Sequence, residues 1–254
     1  MGRLPIIAMG LGFLSIAAGC SSPRTLTVPI LPPSLPSLSS EPISPEAGAI
    51  PLWTESFDTL DSHRWREIEI GGQTTYDIVD LEGQKCLRAS SHHGASMLVT
   101  SVRFRPDQYP WLSWRWRIEQ SVVGEDLQRK EGSDASARIY VYFDSKGLPW
   151  QKRNLDFVWS DHLPLNTLFS SAFASTSKIL VVDGGAATVG KWRLIERNLA
   201  EDYRRAFGEL PTRVIAVGIM TDTDTMGGDV VTYYDEFRVT HAPLLTHSSV
   251  ESAH

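Results

Sequence analysis

Cysteine is scarce in this chain of 254 residues, which contains only Cys20 and Cys86, with no Cys-x-x-Cys pair and no paired His–Cys spacing. These absences leave no zinc site to propose. The Gly-x-Ser-x-Gly pattern of a serine-hydrolase nucleophile elbow is missing too. Positive charge is also in short supply, since the formal net charge is -6. An acidic chain argues against nucleic acid as a partner, because phosphate binding needs a basic surface.

The N-terminus has the pattern of a secretory signal peptide, in which Arg3 precedes an apolar run over residues 4–18. This run is shorter than the apolar segment that a membrane-spanning helix usually needs. Its end, "AAGC" at residues 17–20, resembles the lipobox of bacterial lipoproteins. The resemblance implies that residues 1–19 are removed, which deletes Arg3 and no acid and moves the formal net charge from -6 to -7.

Cys20 is the residue that this lipobox resemblance marks for acylation. Ser21 after it implies sorting to the outer membrane, so we expect a cell-envelope lipoprotein that faces the periplasm or the cell surface. Cys86 is then left without an intramolecular disulfide partner. The alternative is an ordinary cleaved signal in which Cys20 has no role.

Composition divides the remainder into three parts. Residues 20–52 are rich in proline and serine, which predicts a semi-extended tether. Residues 53–241 have the length of one ordinary domain. Residues 242–254 are predicted to be a disordered tail.

The domain shows short alternating runs separated by glycine, proline, aspartate and asparagine, which predicts an all-β fold. We expect a two-sheet antiparallel β-sandwich, because an antiparallel sheet with one apolar face must pack that face against a second layer. One short helix is predicted after Asn198, whose partner in an N-terminal cap is Glu201, and it ends at Gly208. The predicted strands are 85–89, 95–104, 111–118, 135–143, 155–159, 179–182, 192–196, 214–221 and 231–240.

Two strands carry the side chains that point to a function. In "WLSWRWRI", 111–118, alternation places Trp114 and Trp116 on an apolar face that we expect to be buried, and it places Arg115 and Arg117 on the opposite face. In the same way, the strand 135–143 carries four polar side chains on its outer face, namely Ser136, Arg138, Tyr140 and Tyr142. We expect the two strands to share one hollow. Such donor-rich, aromatic surfaces recognise sugars, carboxylates or phosphates, and the alternative is a plain solvated face.

An acidic loop, "MTDTDTMGGD" at 220–229, superficially looks like a calcium loop but lacks the terminal glutamate and flanking helices of an EF-hand. Two interpretations remain for Asp222 and Asp224. They pair with the arginines of the polar face, or they ligate a metal.

The first and last strands resemble those of galactose-binding-like carbohydrate-binding jelly rolls. "ESFD" at 55–58 opens the domain and "YYDEF" at 233–237 closes it. By that resemblance Glu55 and Asp235 are candidate ligands of a structural calcium, the only cofactor we consider. Alternation places Asp235 inward beside Phe237, where it needs a partner, either calcium or a hydrogen-bond network.

Over the folded part, the segments "LSWRWRIE", "DASARIYVYFD", "FVWS", "GKWRLIERNLAEDYRRAFGELP" and "IMTDTDTMGGDVVTYYDEF" are similar to bacterial domain of unknown function family 3047. The resemblance runs from about residue 53 to 239. It implies secreted or lipid-anchored proteins of β-sandwich fold, with no established ligand or catalytic residues.

We therefore predict a binding module, without catalytic residues, for an acidic glycan or another anionic envelope ligand. Its ligand-binding residues are Arg115, Arg117, Asp134, Arg138, Tyr140, Tyr142, Trp159, Asp222 and Asp224. One alternative is a glycoside hydrolase or lyase that uses Asp134 with Asp222 or Asp224. Another is an envelope scaffold that pairs with a partner through exposed strand edges.

Overall fold

The computed structural model describes residues 50–144 and 152–244. Cys20, the signal peptide, nearly all of the predicted tether and the tail beyond residue 244 lie outside the described residues. Within the described part no helix is long and apolar enough to cross a membrane.

Thirteen strands and one α-helix make up the described domain. They are β1 Trp53–Glu55, β2 Trp65–Glu69, β3 Thr74–Leu81, β4 Gln84–His92, β5 Ser96–Thr100, β6 Trp111–Gln120, β7 Arg138–Phe143, β8 Arg153–Ser160, β9 Leu168–Ser170, β10 Ser177–Gly184, β11 Arg193–Asn198, α1 Leu199–Phe207, β12 Val214–Met220 and β13 Asp229–Thr240.

The strands form two sheets. The first sheet has the order β11-β6-β13-β4-β3, with β1 also paired to β13, and the second sheet has the order β2-β5-β12-β7-β8-β10-β9. All pairs are antiparallel except β8 and β10, which run parallel. The predicted β-sandwich with one short helix is confirmed, and β1, β2, β3 and β9 are strands that the sequence did not predict.

The core lies between the sheets and is centred on Trp114, which is completely buried. Its ring lies 5.5 Å from that of Trp116 and 5.5 Å from that of Phe157, and it stacks on Phe237 at 6.4 Å. The inward orientation predicted for the two tryptophans is therefore confirmed. Burial of such large apolar surfaces is the main stabilising contribution to a sandwich of this size.

The helix α1 begins and ends as its flanking residues predict. The side chain of Asn198 accepts hydrogen bonds from the backbone nitrogens of Ala200 and Glu201, and Gly208 adopts a left-handed conformation at φ 77°. Tyr203, on the buried side of the helix, packs 4.6 Å from the ring of Phe143. The helix thus closes one end of the core.

A bulge in β13 changes the expected orientation of its last residues. Pairing with β6 shifts register between Asp235 and Arg238, and Glu236 has a positive φ of 50°. Because of the extra residue, Phe237 enters the core whereas Asp235 lies opposite Arg115 on the outer face. The prediction that Asp235 shares the inner face with Phe237 is wrong for this reason.

Candidate functional site

The arginine-bearing strands do not share a surface. β6 lies in the first sheet and β7 in the second, so Arg115 and Arg117 lie on one outer face of the sandwich and Arg138, Tyr140 and Tyr142 on the other. The prediction of a single hollow that contains all five side chains is therefore wrong. Alternation correctly indicated which side of its own strand each residue occupies, but not which sheet the strand would join.

On the first sheet the two arginines are held by neighbouring carboxylates. Arg115 Nη1 lies 3.1 Å from Glu236 Oε1, and its guanidinium lies 5.2 Å from the ring centre of Trp192. Arg117 donates to Glu82 at 2.9 Å and to Glu119 at 2.8 Å. These contacts are those of a salt-bridged sheet face, and a ligand role for Arg115 and Arg117 stays a prediction.

The candidate calcium ligands have protein donors as partners. Glu55 accepts from the indole nitrogen of Trp65 at 2.9 Å and from the backbone nitrogen of Phe57 at 3.3 Å. Asp235 accepts from Gln84 Nε2 at 2.5 Å and from the backbone nitrogen of Glu236 at 2.7 Å. Burial raises the pKa of Asp235 to about 7. A hydrogen-bond network thus satisfies both carboxylates, and their calcium role stays a prediction.

The second sheet carries a groove of about 370 Å³ on its outer face. Its floor is formed by β12, β7 and β8, and its walls by the segments that follow β2, β9 and β12 and that precede β7. We call this feature the groove, and it is lined by Ile70, Lys130, Ser133, Arg138, Tyr140, Asn154, Asp156, Ser171, Phe173, Ala174, Ser177, Met220, Asp222, Asp224 and Thr225.

Arg138 is the cation in the floor of the groove, and only 5% of it is exposed. Its Nη2 donates to the carbonyl oxygen of Ser133 at 2.8 Å and its Nη1 to the hydroxyl of Tyr140 at 3.2 Å. Nε has no hydrogen-bond partner among the described residues. Since an arginine carries five N–H donors, part of its capacity remains open.

Two buried carboxylates line the groove near Arg138. Asp156 accepts from Asn154 and from Ser177 Oγ, the latter at 3.0 Å. Asp222 accepts from the backbone nitrogen of Ala135 at 3.2 Å. Burial raises the pKa of Asp156 to about 6 and that of Asp222 to about 7, although the charge of Arg138 lowers both in part. Each group therefore changes charge near neutral pH.

Asp134, Asp222 and Asp224 do come together, as the sequence suggested. One oxygen from each lies within 4.8 Å of the others. The expected ion pairs of Asp222 and Asp224 with arginine are absent among the described residues, because no guanidinium nitrogen lies within 4.0 Å of either carboxylate. Hard cations favour such oxygen ligands, and a metal role stays a prediction.

Asp134 differs from its two neighbours because both its oxygens are engaged. Oδ1 accepts from the backbone nitrogen of Thr225 at 3.0 Å and Oδ2 from that of Met226 at 2.7 Å. The side chain is completely buried and is not part of the groove lining. Its evident task is to hold the acidic loop, and the hydrolytic role considered for it gains no support from these contacts.

Aromatic side chains complete the groove and its surroundings. The rings of Tyr140 and Tyr142 stack at 5.8 Å, and Phe173 on the wall is 62% exposed. Trp159, which was expected at the rim, lies in the core instead, where its indole nitrogen donates to Thr188 Oγ1 at 2.8 Å. The side chains of residues 155, 157 and 159 of this strand point inward, so Trp159 does not contribute to the outer face.

Several lining residues were missed by the sequence analysis. Asp156 had a readable signal, since it alternates with the apolar residues Leu155 and Phe157 of a predicted strand. Phe173 and Lys130 had no such sequence signal. Both lie in loops, and contacts with distant parts of the chain determine the conformation of these loops. Lys130 Nζ lies 5.6 Å from the ring centre of Phe173.

The family described as "Protein of unknown function (DUF3047)" matches residues 63–238. The chain belongs to this family. No curated protein matches the sequence of this DUF3047 member significantly.

Among solved structures, this DUF3047 domain is similar to the family 11 carbohydrate-binding module of a cellulosomal cellulase of Clostridium thermocellum, at 14% identity and a TM-score of 0.41, over 77% of this chain and 95% of that one. A family 30 module of another Clostridium thermocellum cellulase matches at 11% identity and TM-score 0.39, over 76% and 92% of the chains. The cellulose-induced protein Cip1 matches at 9% identity and TM-score 0.42, over 75% and 97%. Likenesses of this degree give no information on ligand or activity.

Proposed function

We propose that this protein is a glycan-binding module whose ligand lies in the groove of the second sheet. The observation that carries the proposal is the composition of the groove, in which a buried arginine and two buried carboxylates share the lining with the exposed apolar side chains of Ile70 and Phe173. Sugar rings present hydroxyl groups at their edges and apolar C–H groups on their faces. The groove supplies partners for both, because the apolar side chains of Ile70, Phe173 and Met220 lie in the same lining as its charged and hydroxyl groups.

The size of the groove supports the same conclusion. About 370 Å³ falls within the range of small-molecule sites. Its polar floor residues are pre-positioned by the protein: Arg138 by Ser133 and Tyr140, and Asp156 by Asn154 and Ser177. Pre-positioned groups lower the entropic cost of binding.

An acidic glycan, which the arginines led us to expect, fits this groove less well than an uncharged one. Three carboxylates, Asp156, Asp222 and Asp224, face two cations, Lys130 and Arg138, along the lining. An anionic ligand would meet repulsion from this surplus of negative charge. We therefore propose that the ligand is a glycan without acidic groups.

The experiment is a glycan array followed by calorimetric titration of the purified full-length chain, in a detergent whose headgroup is not a sugar. Phe173→Ala should weaken binding about 2- to 12-fold, the equivalent of one aromatic contact of roughly 0.5–1.5 kcal/mol. Leu210→Ala is the matched control, because Leu210 is similarly exposed and lies outside the groove lining. Binding of no glycan, or equal loss in both variants, contradicts the proposal.

We also propose that the domain is anchored in the cell envelope through acylated Cys20 and held away from the membrane by the segment 20–52. The support is the lipobox-like end of the signal peptide and the proline-rich composition that follows. Cys20→Ser should move the protein from the membrane fraction to the soluble fraction. Cys86→Ser is the control and should leave it in the membrane, since that thiol is buried in β4. Membrane retention of Cys20→Ser contradicts the anchor.

A further inference from the structure

The charges in the groove are unbalanced. The lining contains the carboxylates of Asp156, Asp222 and Asp224 and only two cationic side chains, Lys130 and Arg138. Asp134 adds a further negative charge behind the lining, with one oxygen within 4.8 Å of oxygens of Asp222 and Asp224. When these carboxylates are ionised, the groove carries more negative charge than its own residues compensate, and Asp222 ionises as the pH rises through its pKa of about 7.

Neither groove cation forms a salt bridge with these carboxylates, although the charge of Arg138 lowers the pKa of Asp156 and Asp222 in part. Arg138 donates to the oxygens of Ser133 and Tyr140, and the ammonium of Lys130 lies over the ring of Phe173. Among the described residues, no lysine or arginine nitrogen lies within 4.0 Å of a carboxylate oxygen of the groove lining. Buried charges are normally paired, so an unpaired set beside an open groove invites an external cation.

A second observation, independent of the acidic residues, also points to a ligand. Arg138 is almost completely buried in the groove floor, and its Nε hydrogen lacks an acceptor in the described part of the chain. A buried donor without a partner is rare in folded proteins and calls for an acceptor. Arg138 therefore has unused hydrogen-bonding capacity in the floor of the groove, whose lining also contains Asp222 and Asp224.

We propose that the groove selects glycans that carry a protonated amine over N-acetylated or acidic glycans. The ammonium of such an amino sugar lies against Asp222 and Asp224, and a hydroxyl oxygen of the same or a neighbouring sugar accepts from Arg138. This inference rests on the proposed glycan-binding function and names the class of glycan. An ammonium group suits the site because its positive charge compensates the negative charge of the carboxylates, as a bound proton or metal ion would.

The titration of the groove agrees with this selection. Burial and the neighbouring charge of Asp134 hold the pKa of Asp222 and Asp224 above the ordinary range. Arg138 opposes the shift, and Tyr140, Asp156 and Lys130 are the other titratable groups that line the groove. A bound ammonium favours the ionised carboxylates, so its binding should release protons near pH 7.

The experiment compares two oligomers of equal length and linkage, one of glucosamine and one of N-acetylglucosamine, by calorimetric titration of the full-length chain at pH 6.5. We expect at least tenfold tighter binding of the glucosamine oligomer. Asp224→Asn and Asp222→Asn should each bring the affinity ratio close to one. Asp224 is exposed, so its variant should fold normally.

The control variant is Glu82→Gln, which removes one negative charge from the outer face of the first sheet, where Glu82 pairs with Arg117. It should leave the affinity ratio unchanged. A similar fall of the ratio in Glu82→Gln and Asp224→Asn shows non-specific attraction and overturns the inference. Equal affinity for the two oligomers, or binding of another glycan with no binding of either, overturns amine selection and leaves the proposed function standing. Failure to bind any glycan overturns both.

Discussion

One carboxylate oxygen of Asp134 lies 2.7 Å from the backbone nitrogen of Met226, and the other accepts from the preceding amide, that of Thr225, at 3.0 Å. A completely buried side chain from the segment before β7 therefore holds the loop after β12. This loop contributes Asp222 and Asp224 to the groove wall. The shape of the wall depends on a residue that does not itself face the groove.

Asp134→Asn should destabilise the domain by about 1.5–3 kcal/mol, because an amide replaces one of the two charged acceptors. The loss is measured by urea unfolding. Hydrogen exchange should quicken at the amides of Thr225 and Met226 before it does in the sheets. Asp224→Asn is the control in the same loop, and we expect its unfolding free energy to stay within about 0.5 kcal/mol of the wild type, as for other surface changes. Equal effects of the two variants would contradict this view of the loop.

The buried carboxylates of the groove predict a pH dependence of stability. The pKa of Asp222 in the folded protein is raised to about 7 by burial, above its value in the unfolded chain. The folded state therefore binds the proton more tightly, and the stability that this contributes is present below about pH 4 and is lost as pH rises towards 7. Asp156, whose pKa is raised to about 6, acts in the same direction.

Asp222→Asn should remove part of this pH dependence. We expect the variant to gain stability relative to the wild type above pH 7, by up to a few kcal/mol, and to differ little at pH 4. Unfolding free energies at pH 4 to 8 measure the difference. Glu131→Gln changes an exposed carboxylate outside the groove lining and should leave the curve unaltered. A difference in unfolding free energy between Asp222→Asn and the wild type that is the same at every pH would contradict a raised pKa of Asp222 in the folded protein.

The paired tryptophans of β6 offer a comparison within one strand. The indole nitrogen of Trp116 donates to Asp183 Oδ2 at 3.0 Å, whereas that of Trp114 has no hydrogen-bond partner among the described residues. Trp116→Phe removes a donor from a buried carboxylate, and Trp114→Phe does not. We expect Trp116→Phe to cost about 1 kcal/mol more in urea unfolding. A larger loss in Trp114→Phe would show that packing volume dominates at both positions.

The cap of α1 predicts a fourth stability effect. Asn198→Ala removes the acceptor of two backbone N–H groups and should cost about 1 kcal/mol. Asn198→Asp keeps an acceptor oxygen and should stay within about 0.5 kcal/mol of the wild type. Thermal unfolding of both variants measures the difference. An equal loss in the two would mean that contacts other than the cap govern this position.

Sequence patterns were informative wherever the physical cause is local. The alternation in β6 correctly predicted the buried tryptophans, because side-chain direction has a period of two in any strand. Asn198 and Gly208 correctly predicted both ends of α1, since each acts on backbone groups a few residues away. β3, at the edge of the sheet, was missed because Asp80 falls on the same face as Tyr76 and Ile78, which pack against the core, and interrupts the apolar alternation there.

The sequence did not predict the groove, because the groove is formed by contacts between distant parts of the chain. β7 pairs with β12 and β8, whereas β6 pairs with β11 and β13, and no short-range pattern determines these choices. The same limit applies to Asp235, whose orientation changes because Glu236 adopts a positive φ. Apart from Asp235 and Trp159, the strand residues were thus assigned to the correct side of their strands, but the two arginine-bearing strands do not form a common site.

The parallel pairing of β8 with β10 requires the chain to cross over through residues 161–176, and Phe173 belongs to this crossover. The groove therefore owes one of its walls to a segment that can lengthen or shorten without disturbing the ladder beneath it. A change in the length of this segment is therefore expected to alter the width of the groove while the charged floor keeps its layout.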